Sequence, residues 1–174
     1  DAQDITNSIT ALNGGGFENL VISPNNNIIT NVTDTIDTTT VSITTANVNE
    51  DATGITFNFE LSNKPESGYP ATLTVQIAGE ATTRTITLDA DGKGSLFINT
   101  QDSDVYVDSQ SVTATVTAIN GGNFEATSVS GATATANVTD VNDTTTVSVS
   151  TADVNEDATG VTFNFALSNK PESG

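Results

Sequence analysis

Two short connectors in this chain carry oxygen-bearing side chains at close spacing. The stretches are "TDVNDTTTV" (139–147) and "TDTIDTTTV" (33–41), and their oxygen-bearing residues are Asp140, Asn142 and Asp143 in the first and Asp34 and Asp37 in the second. Carboxylates and side-chain amides are the ligands that hard divalent cations such as Ca²⁺ prefer, and neither His nor Cys is needed. In an extended connector this spacing can turn two oxygens toward one side, so we predict that the connectors bind Ca²⁺.

The composition excludes several classes of partner and of chemistry. The chain has 174 residues with 22 acidic and 4 basic side chains, a net charge of −18, and no His, Cys, Met or Trp. Such a field repels nucleic acid and anionic membrane surfaces, and no apolar run is long enough to span a bilayer. Without His or Cys, catalysis would need paired carboxylates in a pocket. We therefore expect no nucleic-acid binding, no direct membrane insertion and no enzyme activity.

The chain contains a tandem repeat. Residues 143–174 match residues 37–68 at 27 of 32 positions with an offset of 106, and 1–18 align with 108–125 at an offset of 107. A repeat of this length exceeds a solenoid unit and fits a free-standing domain. The predicted domains are the C-terminal part of one repeat (1–36), a complete repeat (37–142) and the N-terminal part of the next (143–174).

Within the complete repeat, apolar and polar residues alternate as they do in half-buried β-strands. The predicted strands are 39–46, 54–62, 71–78, 82–88, 94–99, 111–119 and 131–139. The predicted core residues of three of them are Ile55, Phe57, Phe59 and Leu61; Leu73, Val75 and Ile77; and Val112, Ala114, Val116 and Ala118. Seven short strands in a repeat of about 106 residues indicate an all-β chain of tandem immunoglobulin-like, cadherin-like antiparallel β-sandwich domains.

Successive loops of such a sandwich alternate between its two ends, and this places most of the acidic residues. At the end where the chain exits, we expect Glu50, Asp51, Glu80, Asp102, Asp104 and Asp108 beside Asp140, Asn142 and Asp143. At the other end, we expect Glu66, Asp89, Asp91 and Glu125 beside Asp34 and Asp37.

This crowding of acidic groups needs a counter-charge. Carboxylates ~5 Å apart repel one another by about 3 kcal/mol at an effective dielectric constant of ~20, and the repeat has only Lys64, Arg84 and Lys93 to oppose them. Bound Ca²⁺ would remove the repulsion. The predicted metal ligands are Glu50, Asp51, Asp102, Asp104, Asp108, Asp140, Asn142, Asp143, Asp34, Asp37, Asp89 and Asp91.

Plainer interpretations exist for several of these residues. Acidic side chains in loops are commonly solvated, and high acidity also favours solubility in salty surroundings. "DADGKG" (89–94) resembles the opening of an EF-hand loop, but the glutamate at the twelfth position is missing, and a type I′ hairpin turn explains it more simply. In "NGGNFE" (120–125) we expect glycines with positive φ, followed by a phenylalanine, Phe124, that packs in the core.

Three stretches together resemble a known family. "GGGFENLVISPNNNIITNVTDTIDTTTVSIT" (14–44), "DSDVYVDSQSVTATV" (102–116) and "INGGNFEA" (119–126) are similar to the extender repeats of giant bacterial RTX adhesins, the LapA-like biofilm proteins. "DVND" with an upstream "NED" is also similar to the Ca²⁺-binding linker of cadherins. The connector at 33–41 reads "DTID" and lacks an equivalent of Asn142, so we do not expect the two connectors to hold the same number of ions.

The adhesin resemblance implies type I secretion, a bacterial cell-surface location and Ca²⁺-rigidified tandem sandwiches that hold an adhesive tip away from the cell. It also supports Glu50, Asp102, Asp104, Asp108, Asp140 and Asp143 as ligands, with neighbouring repeats as partners through the Ca²⁺-bridged linkers. Two alternatives stay open. One is a carbohydrate-binding module, although only Tyr69 and Tyr106 could form a platform; the other is a filament in which copies of the chain pair along edge strands.

Overall fold

A computed structural model describes residues 2–102 and 104–172. The first residue of the predicted segment 1–36 and the last two of 143–174 lie outside the described residues. The strands, in chain order, are β1 (Gln3–Ser8), β2 (Asn27–Val32), β3 (Thr38–Thr44), β4 (Val48–Asn49), β5 (Gly54–Leu61), β6 (Ala71–Ile77), β7 (Arg84–Thr87), β8 (Lys93–Asn99), β9 (Gln110–Gly121), β10 (Ala126–Ser128), β11 (Thr133–Thr139), β12 (Val147–Thr151) and β13 (Phe163–Leu167). The described residues contain no helix, and the chain forms two compact units, Asp1–Asp37 and Thr38–Gly174.

Strands β3 to β11 form two sheets. One has the order β10-β3-β5-β8 and the other the order β4-β11-β9-β6-β7. Neighbouring strands are antiparallel except for the pairs β10–β3 and β4–β11, which are parallel. Apolar side chains from both sheets form one core. The predicted immunoglobulin-like β-sandwich is therefore confirmed.

The alternation that predicted β5 and β6 is confirmed in the core. Ile55, Phe57, Phe59 and Leu61 are all buried, while the residues between them in β5 are exposed. Leu73, Val75 and Ile77 of β6 are buried in the same way. Period-2 patterning identifies the buried face because successive side chains of a strand point to opposite sides of the sheet.

The predicted core face of β9 is correct at one end and wrong at the other. Val116 pairs with Val75, but Ala118 pairs with Thr74, so Thr117 is an extra residue at a β-bulge. A bulge reverses the facing of the residues beyond it. As a result Ile119, and not Ala118, packs against the core.

The prediction of seven strands missed β4 and β10, and β4 lies between the predicted strands 39–46 and 54–62, where we expected only a loop, 47–53. β4 pairs with β11, and the N–H of the next residue, Glu50, donates a hydrogen bond to the carbonyl oxygen of Thr139 at 3.0 Å. Strands of two or three residues are too short to show any periodicity, which is why the sequence did not reveal them. β4 has a positional role, since it holds Glu50 beside the end of β11.

The two outer hairpins repeat the pairing of the sandwich. In β1–β2, Gln3 pairs with Val32, as Gln110 pairs with Val138 in β9–β11. In β12–β13, Val147 pairs with Leu167, as Val41 pairs with Leu61 in β3–β5. The repeated sequence therefore adopts the same strand register in each copy.

The core should depend strongly on its phenylalanines. We expect Phe57→Ala, at a fully buried position of β5, to lower the free energy of unfolding by about 3–5 kcal/mol, because it removes buried apolar surface and leaves a cavity. Phe97→Ala is the matched control, since that side chain is 52% exposed on β8, and its effect should be about 1 kcal/mol. Urea denaturation of the full chain measures both, and equal losses would contradict this description of the core.

Candidate metal site at the acidic end of the sandwich

Three acidic residues from distant parts of the sequence meet at one end of the sandwich. Glu50 follows β4, Asp108 precedes β9 and Asp140 follows β11. Each offers a carboxylate oxygen, and these oxygens all lie within 4.8 Å of one another. We call these three residues the acidic cluster. The alternation of loops between the two ends of a sandwich predicted that they would share this end.

Glu50 is the buried member of the acidic cluster. Its side chain is 2% exposed, whereas Asp140 is half-buried and Asp108 is exposed. One carboxylate oxygen, Oε1, accepts a hydrogen bond from the N–H of Val141 at 2.8 Å. Among the described residues, nothing donates a hydrogen bond to the other oxygen, Oε2, although it is buried. Leaving a buried charged oxygen unpartnered is expensive, so this atom could serve as a ligand to a metal ion.

The loop between β8 and β9 supplies further acidic residues. The N–H of Asp102 donates to the carbonyl oxygen of Glu50 at 3.1 Å, and the N–H of Asp108 donates to Oδ1 of Asp140 at 3.3 Å. Oδ1 of Asp104 accepts the N–H of Tyr106 at 2.8 Å. The described part of this loop is therefore tied to the strand ends that carry the acidic cluster.

The electrostatics of the acidic cluster are unfavourable in the absence of a cation. The hydrogen bond from Val141 lowers the pKa of Glu50, whereas burial raises it. The charges of Asp140, Asp108 and Asp104 also raise the pKa of Glu50, and the net result lies above the ordinary value of 4.5. Partial desolvation of its carboxylate, followed by the charges of three neighbouring aspartates, raises the pKa of Asp108, although the residue is exposed as a whole. Both shifts mean that the folded protein resists ionisation of these groups.

The basic side chains of the sandwich pair with other acidic residues. The ion pairs are Lys64 with Asp91, Arg84 with Glu80 and Lys93 with Glu60. Glu80, which the sequence also placed at the acidic end, is thus neutralised by Arg84. These pairs are largely exposed and add little stability. All three basic residues between positions 37 and 142 therefore form ion pairs with acidic residues outside the acidic cluster.

Other predicted ligands lie outside the acidic cluster. Asp51 is exposed in the turn after β4, and Asn142 and Asp143 are exposed in the connector after Asp140. Asp34 and Asp37 belong to the other compact unit. The ligand role of these five residues stays a prediction.

Asp89 and Asp91 lie in a turn at the opposite end. Oδ1 of Asp89 accepts the N–H groups of Asp91 and Lys93 at 2.9 and 2.8 Å, and Gly92 has a φ of +77°. The interpretation of this stretch as a type I′ hairpin was wrong, because β7 and β8 belong to different sheets. The stretch does form a turn, as expected. The role of Asp89 in this turn is to accept hydrogen bonds from main-chain N–H groups.

The turn at 120–125 also has the conformation predicted from the sequence. Gly121 and Gly122 have φ values of +75° and +77°, and Phe124 packs against the core, as predicted. An open cleft of about 440 Å³ lies at this end beside Tyr69. It is separate from the acidic cluster.

Sequence reasoning missed two groups at the acidic end. The N–H of Val141 is a main-chain donor, and no side-chain pattern can reveal it. Tyr106 lies within the "DVYVD" stretch (104–108). The hydrogen bond from its hydroxyl group to the segment after β13 could be identified only from the structure.

The raised pKa values predict how the metal-free protein responds to pH. For an acid with a raised pKa, the folded state binds more protons than the unfolded state, so its stability falls as pH rises. In chelator, we therefore expect the contribution of Glu50 to increase the free energy of unfolding as pH falls from 7 toward 4.5. Urea denaturation at several pH values measures this, with Glu50→Gln as the control that removes this contribution. The same pH dependence in the variant would contradict the prediction.

Comparison with known proteins identifies the family. A model described as the LapA domain matches residues 37–141, well over half of the 174 residues, and this region contains the whole acidic cluster. No curated protein matches the chain. The structure has no membrane-spanning helix among its described residues. The LapA domain is a structural module of cell-surface adhesins connected with adhesion and biofilm formation, not an enzyme family. The chain belongs to the LapA domain family.

Proposed function

We propose that this chain is a calcium-rigidified extender segment of a large secreted adhesin, which projects an adhesive tip from the bacterial surface. The observation that carries the proposal is the buried Glu50 carboxylate, whose Oε2 atom lacks a partner among the described residues while two other carboxylates lie close by. A divalent cation at this point would satisfy the buried oxygen and cancel the repulsion.

The chemistry of the donors supports Ca²⁺ as the ion. The acidic cluster offers only oxygen ligands, which suit hard cations, whereas zinc and copper favour nitrogen and sulfur. Ca²⁺–oxygen distances are about 2.4 Å, so ligands on opposite sides of the ion lie about 4.8 Å apart. The carboxylate oxygens all lie within 4.8 Å of one another, so a single Ca²⁺ could contact all three. Mg²⁺ demands shorter distances of about 2.1 Å and gives up its water reluctantly.

The position of the acidic cluster supports a mechanical role. Asp140 begins the connector to the next repeat, and Val141 of the same connector is already bonded to Glu50. An ion held by Glu50, Asp108 and Asp140 would brace the start of the connector against the sandwich. In the proposed organisation, 37–142 is one sandwich, 1–36 and 143–174 belong to its neighbours, and the same brace recurs at each junction.

Calcium would also drive folding. A ligand that binds only the folded state raises the free energy of unfolding by about 2.7 kcal/mol when its concentration is 100 times the dissociation constant. That is a large share of the free energy of unfolding of a typical domain, which is about 5–15 kcal/mol. A chain secreted unfolded would then fold on reaching a calcium-rich exterior, which fits the proposed export by type I secretion.

Calcium should raise the melting temperature of the protein. With saturating Ca²⁺ we expect an increase of about 10–20 °C over the chelated protein, and a smaller increase with Mg²⁺. Glu50→Gln should raise the melting temperature in chelator, because it relieves the repulsion, and should lose most of the response to Ca²⁺.

Glu60→Gln is the matched control for this experiment. It makes the same substitution on β5, where Glu60 is exposed and pairs with Lys93, and Glu60 is not a predicted metal ligand. We expect this variant to keep the full calcium response in differential scanning calorimetry. A wild-type melting temperature that is the same in calcium and in chelator would end the proposal.

Calcium should also stiffen the junction between repeats. The test uses the extended chain, which we define as the full chain continued after Gly174 with a copy of residues 69–142 to complete the last repeat. In small-angle X-ray scattering, we expect Ca²⁺ to increase the maximum dimension and to narrow the range of shapes. Asp140→Ala/Asp143→Ala should scatter like the chelated wild type in either condition; a stiffening equal to that of the wild type would count against the brace.

A further inference from the structure

Tyr106 makes a contact that the metal site does not explain. Its hydroxyl group donates a hydrogen bond to the main-chain carbonyl oxygen of Lys170 at 2.6 Å, across 64 positions of sequence. Tyr106 lies in the loop between β8 and β9, at the acidic end of the sandwich. Lys170 follows β13 and belongs to the repeated sequence that starts at position 143. The hydrogen bond therefore joins the sandwich to the segment of the next repeat.

The acceptor segment has a defined conformation. The side-chain amide of Asn169 bonds to Oγ1 of Thr145 at 3.1 Å, and the N–H of Thr146 bonds to Oγ of Ser168 at 2.9 Å. The N–H of Ser168 in turn bonds to the carbonyl oxygen of Thr146 at 2.8 Å. The segment that carries the Lys170 carbonyl group is thus held by hydrogen bonds to the two residues just before β12, the first strand of its own repeat.

The complete repeat makes the same three bonds 106 positions earlier. Asn63 bonds to Thr39 at 3.1 Å, and the N–H of Thr40 bonds to the hydroxyl of Ser62 at 2.9 Å. The N–H of Ser62 bonds to the carbonyl oxygen of Thr40 at 2.9 Å. Since both copies build this segment with the same hydrogen bonds, it is a recurring surface at the entry end of the repeat.

The donor is also held in place. Oδ1 of Asp104 accepts the N–H of Tyr106 at 2.8 Å, and Tyr106 is half-buried. The same loop contributes Asp108 to the acidic cluster, and the N–H of Asp102 bonds to the carbonyl oxygen of Glu50. The tyrosine therefore sits on the loop whose other residues surround the candidate metal site.

We propose that Tyr106 is the residue that docks the complete repeat onto the next, with the main-chain carbonyl at position 170 as its acceptor. The proposal rests on the proposed function, because it names the second anchor of the junction that calcium would brace. An ion at the acidic cluster restrains the connector only as far as Val141, and residues 142–146 beyond it are exposed. A single anchor leaves the next repeat free to swivel, whereas two separated anchors fix its direction.

The acceptor is a main-chain group, which makes the contact independent of the residue type at position 170. This separates the proposed hydrogen bond from a simple attraction between the lysine and the acidic cluster. Removal of the tyrosine hydroxyl should weaken docking, and removal of the lysine side chain should not.

The test measures the distance between neighbouring repeats in the extended chain. The chain has no cysteine, so Thr85→Cys on β7 and Ala166→Cys on β13, both exposed, accept two spin labels without competition. Double electron–electron resonance then gives the distance distribution in Ca²⁺ and in chelator. We expect Tyr106→Phe to broaden the distribution in Ca²⁺ and to lower the ratio of docked to undocked junctions about fivefold, the factor carried by one hydrogen bond of ordinary net strength.

Two matched controls accompany this variant. Tyr69→Phe removes the hydroxyl of the tyrosine at the opposite end of the same sandwich, and Lys170→Ala removes the side chain but keeps the carbonyl group. Both should keep the wild-type distribution. A Tyr106→Phe distribution as narrow as that of the wild type would overturn the proposal, and so would equal broadening by Lys170→Ala.

The same samples separate this proposal from the proposed function. Isothermal titration with Ca²⁺ should give the same affinity for Tyr106→Phe and for the wild type within about twofold, because the hydroxyl bonds to a carbonyl group and is not a predicted metal ligand. A wild-type distribution that is equally narrow in Ca²⁺ and in chelator would refute stiffening by calcium. The comparison of Tyr106→Phe with the wild type would still decide the role of the tyrosine.

Discussion

Burial of one carboxylate group constrains the acidic end of this sandwich. Glu50 is almost fully buried, one of its oxygens lacks a partner among the described residues, and Asp108 and Asp140 lie beside it. A buried charge is tolerated only when it is paired or when it holds a metal ion. The basic residues of the sandwich pair with acidic groups elsewhere. The fold therefore concentrates negative charge where its own side chains supply little compensation, which is the arrangement that a bound cation would stabilise.

The sandwich brings this charge together by its topology. Glu50 and Asp140 are 90 positions apart in the sequence, yet the parallel pairing of β4 with β11 places them side by side. The bond from Val141 to Glu50 then fixes the first step of the connector. Two of the three carboxylates thus follow directly on strand ends, which are rigid, and the third, that of Asp108, lies in the loop just before β9. Rigid elements hold ligands more accurately than loops do.

The sequence predicted the parts of this structure that depend on regular patterns. Alternation located β5 and its four buried side chains, and the alternation of loops between the two ends brought Glu50, Asp108 and Asp140 to one end. The sequence pattern failed where one extra residue interrupts it. At the bulge in β9, Ile119 packs against the core in place of Ala118. The pattern also could not select three residues from the larger acidic set. That selection depends on loop conformation and on main-chain hydrogen bonds, which side-chain patterns do not encode.

The repeated sequence gives the junction a significance beyond one pair of sandwiches. Glu156 occupies the position of Glu50 in the next copy, and Asp34 occupies that of Asp140 in the previous one. In a linear array, angular freedom accumulates from joint to joint, so the reach of the whole depends on the least restrained joint. A spacer can therefore remain straight only if every junction carries its own restraints. Under the proposed function, this requirement would account for the placement of the ion ligands and of the segment that accepts Tyr106 within the repeat itself.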